Sequence, residues 1–95
     1  MNALHHLVDY ALSHRHVISV HDGCEWSLKK SRDRAAILHD VEGVEEATLR
    51  IRNAANDIIG TAYVITGLDH EELISDYIIS PFMEEWWKDF WQHIS

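Results

Sequence analysis

Apolar side chains recur every three to four positions in three stretches of this chain and alternate with polar ones in two others, which predicts helices and strands in turn. Ala3, Leu4, Leu7, Val8, Ala11 and Leu12 share one helical face from Asn2 to about Ser13, with Asn2 placed to cap the first turn and Arg15 just beyond the last. Asp33 caps a second helix from Arg34 to about Glu42, where Ile37, Leu38, Val41 and then Val44 continue a stripe and Gly43 offers a left-handed stop. Ser80-Pro81 opens a third, whose Phe82, Met83, Trp86, Trp87, Phe90, Trp91 and Ile94 line one side while Glu84, Glu85, Lys88 and Asp89 face water.

Between Val17 and Leu28 the period changes to alternation around Asp22-Gly23, a hairpin signal. A loop of His21, Asp22 and Gly23 pairs Val20 with Cys24 and Ile18 with Trp26. It gathers the apolar side chains, Cys24 and Trp26 included, on one face and turns Ser19, Glu25 and Ser27 outward. Alternation resumes from Glu45 to Arg52 and from Asp57 to Ile65 around the turn Asn53-Ala54-Ala55-Asn56. There Ala47, Leu49 and Ile51 share a face with Ile58, Gly60, Ala62 and Val64, and a bulky helix residue, a tryptophan for instance, is expected over Gly60. From Asp69 to Ile79 the pattern is ambiguous between a helical turn through Leu73 and extended chain over Ser75 to Ile79. The expected architecture is a single α+β domain over residues 1–95, ordered α-ββ-α-ββ-α, with a four-stranded, mainly antiparallel sheet and helices chiefly on one face.

At 95 residues the chain buries roughly two-thirds of its unfolded surface and needs no metal or disulfide to hold a core. The lone Cys24 cannot form an internal disulfide, and neither a membrane span nor a secretory signal is visible, so a cytoplasmic location with no membrane partner is expected. Sixteen acidic against eight basic residues give a formal net charge of -8, which opposes direct nucleic-acid binding. Lys29, Lys30, Arg32 and Arg34 cluster mid-chain, whereas Asp69, Glu71, Glu72, Asp76, Glu84, Glu85 and Asp89 make the C-terminal third acidic.

Eight histidines raise a metal reading, centred on His14, His16, His21 and Cys24 near one end of the first hairpin, but their spacing matches no ligand motif. His5 and His6 are adjacent on a helix and cannot converge on one ion, while His39 with Asp40 and His70 with Glu71 and Glu72 suit ordinary polar helix ends. No nucleophile elbow or glycine-rich phosphate loop is present, so no catalytic residue, metal ligand or cofactor is assigned. Trp26 and the run from Lys29 to Arg34 could form an aromatic and basic nucleic-acid surface, but a Trp26 on the core face argues against it.

The segment from Val17 to Ser31, followed by Leu49-Arg50-Ile51-Arg52 and Ile59-Gly60, resembles a loose set of small uncharacterised bacteriophage and prophage proteins. Their shared pattern is a strand, an Asp-Gly turn, a tryptophan and a Lys/Arg-Ser ending, and Cys24 stands where a polar or acidic residue is expected. The resemblance implies an accessory protein acting in a bacterial cytoplasm and carries no activity. The expected function is that of a non-enzymatic acidic binding protein. It would occlude a host protein, one with a basic nucleic-acid-binding cleft being the favoured type, through Asp69, Glu71, Glu72, Asp76, Glu84, Glu85 and Asp89, with Trp87 and Trp91 as anchors. The alternatives are self-assembly, as a homodimer for example, through the tryptophan stripe or the face of Ile59, Tyr63 and Ile65, and a small metal-dependent enzyme using the histidines.

Overall fold

The structure, a computed structural model, describes residues 3–65 and 74–94. Helix α1 (Ala3–Ser13) leads into strands β1 (Val17–His21) and β2 (Trp26–Ser31); helix α2 (Arg34–Glu42), strands β3 (Glu46–Arg52), β4 (Ile58–Ile65) and β5 (Ile74–Tyr77), and helix α3 (Pro81–Ile94) follow. The strands pair antiparallel in the order β2-β1-β3-β4-β5. Because β2 and β3 both flank β1, α2 carries the chain across it from one side to the other. The α+β class is as expected, with five strands instead of four: Ile74–Tyr77 pairs with β4 in the stretch where the sequence pattern is ambiguous. The helical turn considered from Asp69 to Leu73 lies outside the described residues.

All three helices lie along one face of the sheet. α2 packs on β1 and β2, α1 sits between the other two helices over β1, and α3 lies over β4. Leu4, Leu7 and Val8 of α1, Ile37 and Val41 of α2, and Met83 and Trp86 of α3 close on Ile18, Val20, Leu49, Ile51, Ala62 and Val64, and all are buried. This burial is the main stabilising term, since each such side chain contributes about 1.5–3 kcal/mol relative to exposure. Polar contacts set how the helices sit on one another. His5 pairs with Glu42 at 2.8 Å and Arg34 with Asp9 at 2.6 Å, tying α1 to α2, while His6 turns the other way and meets Asp89 of α3 at 2.9 Å. The adjacent histidines thus diverge to different helices.

Asp33 caps α2 as the sequence indicates: its backbone is extended and its carboxylate accepts from the Ala36 N–H at 3.3 Å. Asp33→Ala should cost about 1 kcal/mol, the usual worth of such a cap, seen as a lower urea midpoint with an unchanged slope. Gly43 does not supply a left-handed stop. It stays right-handed at φ -82°, because its N–H bonds to the His39 carbonyl and the Val44 N–H to the Val41 carbonyl, which closes the last turn without a left-handed residue.

The second hairpin keeps the expected faces from Gly60 onward, with Ala47 opposite Val64, Leu49 opposite Ala62 and Ile51 opposite Gly60. The irregularity beside Arg52 then shifts the strand by one residue, so Ile58, expected on the core face, pairs with Arg52 and is exposed, while Ile59, expected on the other face, packs against the core. Over Gly60 lie Met83 and Phe82, so the bulky α3 residue expected there is not a tryptophan.

The first hairpin departs from the expected register. His21 pairs with Trp26, Val20 with Leu28 and Ile18 with Ser31, and the loop is Asp22 to Glu25. Two bulges in β2 cause this. Each extra residue reverses the alternation, so Leu28 keeps the core face opposite Val20 while Trp26, two residues earlier, points to the other side opposite His21. Gly23 holds φ 98° in the turn, and the Asp22 carboxylate accepts from the N–H groups of both Cys24 and Glu25 at 2.9 Å. Cys24 is therefore exposed in the loop and not packed on the apolar face. Ser19, expected outward in solvent, is 7% exposed because neighbouring strands crowd it.

Candidate functional site

The α3 stripe divides. Met83, Trp86 and Phe90 are buried at three- and four-residue spacing, whereas Trp87 and Trp91 remain 36% and 48% exposed. These two rings meet edge-on at 5.2 Å, and Trp87 also touches Tyr77 at 5.9 Å, which fixes the pair over the β5 side of the helix. Exposed Ile78 and Ile79 follow β5 and extend the apolar character of that edge. One helical turn from Trp87, Glu84 is exposed, and Asp76 is exposed on β5. Glu85 and Asp89 lie on the opposite flank of α3, facing α1: Asp89 is held by His6, and the negative charges of Glu85 and Asp89, after burial, push the Tyr10 hydroxyl above its ordinary pKa. The expected acidic residues are thus dispersed, with Glu84 beside the tryptophans, Glu85 and Asp89 on the far flank of α3, and Asp76, opposite Tyr63, on the other face of the sheet. Asp69, Glu71 and Glu72 lie outside the described residues.

His14, His16, His21 and Cys24 do not gather near one end of the first hairpin. His14 and His16 precede β1 and His21 ends it, so a five-residue strand, about 16 Å of extended chain, separates the two groups. Among the described residues no three His, Cys, Asp or Glu side chains assemble as a metal site. His14 and His16 instead stack against each other and line a groove of about 470 Å³ with Tyr10, Ile58, Phe82 and Glu85. Burial, and then the charge of His14, lower the pKa of His16. The neighbouring Ser13 Oγ and His14 Nδ1 lie 3.3 Å apart, but each is engaged at the helix end. Ser13 Oγ and His14 Nδ1 both reach the Tyr10 carbonyl, at 2.8 and 2.7 Å, and so finish the end of α1.

The face of the sheet away from the helices carries what the sequence reading missed. Asp76, Tyr63, Thr48, His21 and Trp26 are successive cross-strand partners in one row over all five strands. Beside that row Arg50 pairs with Ser19 and Thr61. The Arg50 guanidinium lies over the Trp26 ring at 4.7 Å, and its Nε is buried without a hydrogen-bond partner among the described residues. Ser19, Trp26, Lys29, Lys30, Arg50 and Arg52 line a concavity of about 210 Å³, with no carboxylate in its wall among the described residues. Lys30 holds a left-handed φ of 49°, a strained conformation for a side chain of its kind, and its freed N–H donates to Ser19 Oγ at 2.9 Å. The signal was present as Trp26, Lys29 and Lys30 in one run and Arg50 and Arg52 in another; the β2 bulges that bring them together leave no mark in the periodicity.

No protein-family model, curated protein or solved structure matches this chain. Among the described residues no helix is long and apolar enough to cross a membrane.

Proposed function

We propose that this chain is a non-enzymatic binding protein that engages a protein partner through the Trp87 and Trp91 edge of α3. The observation that carries the reading is the pair of partly exposed indoles, Trp87 and Trp91, on a helix whose Trp86 and Phe90 are buried. Large amphipathic rings at the rim of a packed core are the side chains that most often dominate protein interfaces, because they bury much area at little entropic cost. Glu84 borders that edge, so the complementary partner surface is an apolar hollow with a lysine or arginine at its rim. The resemblance to phage and prophage proteins supplies the setting, a bacterial cytoplasm, and the basic hollow fits the kind of host protein expected from the sequence.

The test compares the full chain with a Trp87→Ala/Trp91→Ala variant as bait in bacterial lysate, then titrates the purified captured protein against both. The reading requires a purified partner whose affinity falls at least ten-fold in the double variant, and further with Glu84→Lys or added salt, while circular dichroism is unchanged. Equal binding by the variant overturns it. So does light scattering that finds a stable dimer dissociated by the same variant, which would assign this edge to self-association.

A further inference from the structure

The concavity around Trp26 and Arg50 is independent of the α3 edge, being on the other side of the sheet. Half of the chain's eight basic side chains converge there: Lys29, Lys30, Arg50 and Arg52. No carboxylate among the described residues lines the wall, so the concavity offers an anion a locally positive surface. Arg50 shows the same imbalance at atomic scale. Trp26 fixes its guanidinium plane, and the buried Nε has no acceptor among the described residues. Lys30 is held beside it in a left-handed backbone.

We propose that this face binds single-stranded nucleic acid, with backbone phosphates on Lys29, Lys30, Arg50 and Arg52 and bases stacked along the row of Trp26, His21 and Tyr63. The row crosses the sheet at about 4.8 Å per strand, so its aromatic positions are spread over a distance that several unstacked nucleotides span. A guanidinium clamped flat on an indole offers a phosphate its N–H edge and a base its plane, whereas an acidic peptide would use only the charge. An open sheet presents no helix to enter a duplex groove, which favours a single strand. The net charge of -8 does not forbid this. The acids on this face, Asp76 next to Tyr63 and Glu46 beside Thr48, stand at the end of the row away from the concavity, and salt screens charges beyond about 8 Å.

The test is fluorescence anisotropy of a labelled oligothymidylate titrated with the full chain. Saturable binding is expected at low salt, with log affinity falling against log salt at a slope of up to about -3, four contacts at about 0.7 each. Lys29→Glu/Lys30→Glu, both exposed, should weaken binding at least ten-fold with an unchanged circular dichroism spectrum. Arg50→Lys should also weaken it, since it keeps the charge and loses the planar stack. Trp87→Ala/Trp91→Ala should leave it unaltered, which separates failure here from failure of the protein-binding reading. Absence of saturable binding, equal affinity in the Lys29/Lys30 variant, or displacement by inorganic phosphate or polyglutamate as readily as by unlabelled strand would each overturn the proposal.

Discussion

Trp86→Ala is expected to cost about 3–5 kcal/mol, the range for removing a large aromatic side chain from a packed core. Trp86 is fully buried, stacks on Phe90 at 6.0 Å and meets Tyr77 edge-on at 5.8 Å, so its loss opens a cavity where α3 rests on β4 and β5. A domain of this size has about 5–15 kcal/mol of total stability, so urea unfolding should show a much lower midpoint and a substantial unfolded fraction in dilute buffer. Trp86→Phe should be much milder. It retains most of the ring contacts and removes an indole N–H that finds no acceptor in the interior, a group whose burial itself costs about 1–3 kcal/mol. Trp91→Ala should lie within about 0.5 kcal/mol of the parent, as exposed substitutions usually do. Equal losses for Trp86→Ala and Trp91→Ala would contradict the division of the stripe.

Gly60→Val should destabilise by about 1–3 kcal/mol through overpacking. A Cβ at Gly60 would stand 2.8 Å from Met83 Sδ and 3.2 Å from Phe82 Cδ1. Met83 is flexible, but it is fully buried and has nowhere to retreat. The backbone at Gly60 needs no left-handed conformation, so the cost comes from space alone. Met83→Ala in the Gly60→Val background should therefore recover part of the loss, giving a coupling of about 0.5–3 kcal/mol in a double-mutant cycle by thermal or urea unfolding. Strict additivity would show that the contact is not the cause.

How far the sequence could be read depended on whether the period stayed intact. The three helices are legible because their stripes run without interruption and because Asp33 and Pro81 mark two of the starts. The second hairpin is legible over most of its length because its single irregularity lies at the end near Arg52, where it exchanges the faces of Ile58 and Ile59 only. The first hairpin is not, because two bulges in β2 each shift the register by one residue, and alternation contains no sign of a residue that drops out of the ladder. That local error had a functional consequence. With Trp26 placed in the core, the basic run after it looked like charge neutralisation; with Trp26 on the uncovered face, the same lysines join Arg50 and Arg52. The arrangement of the acidic residues is a different matter. Helix α3 sends Glu84 to one flank and Glu85 and Asp89 to the other, and His6, distant in sequence, claims Asp89. A periodicity reading counts charges on a solvated arc and does not see which of them a neighbouring helix takes.

The two proposals place recognition on separate sides of the molecule, an indole edge on α3 and the sheet face around Trp26 and Arg50. Hydroxyl-radical footprinting read by mass spectrometry, with and without saturating oligothymidylate, tests this separation most directly. The account predicts that Trp87 and Trp91 are modified readily and Trp86 barely at all, and that the strand protects Trp26 while leaving Trp87 and Trp91 unchanged. Protection of Trp87 and Trp91 with Trp26 unaffected, or free modification of Trp86, would contradict it.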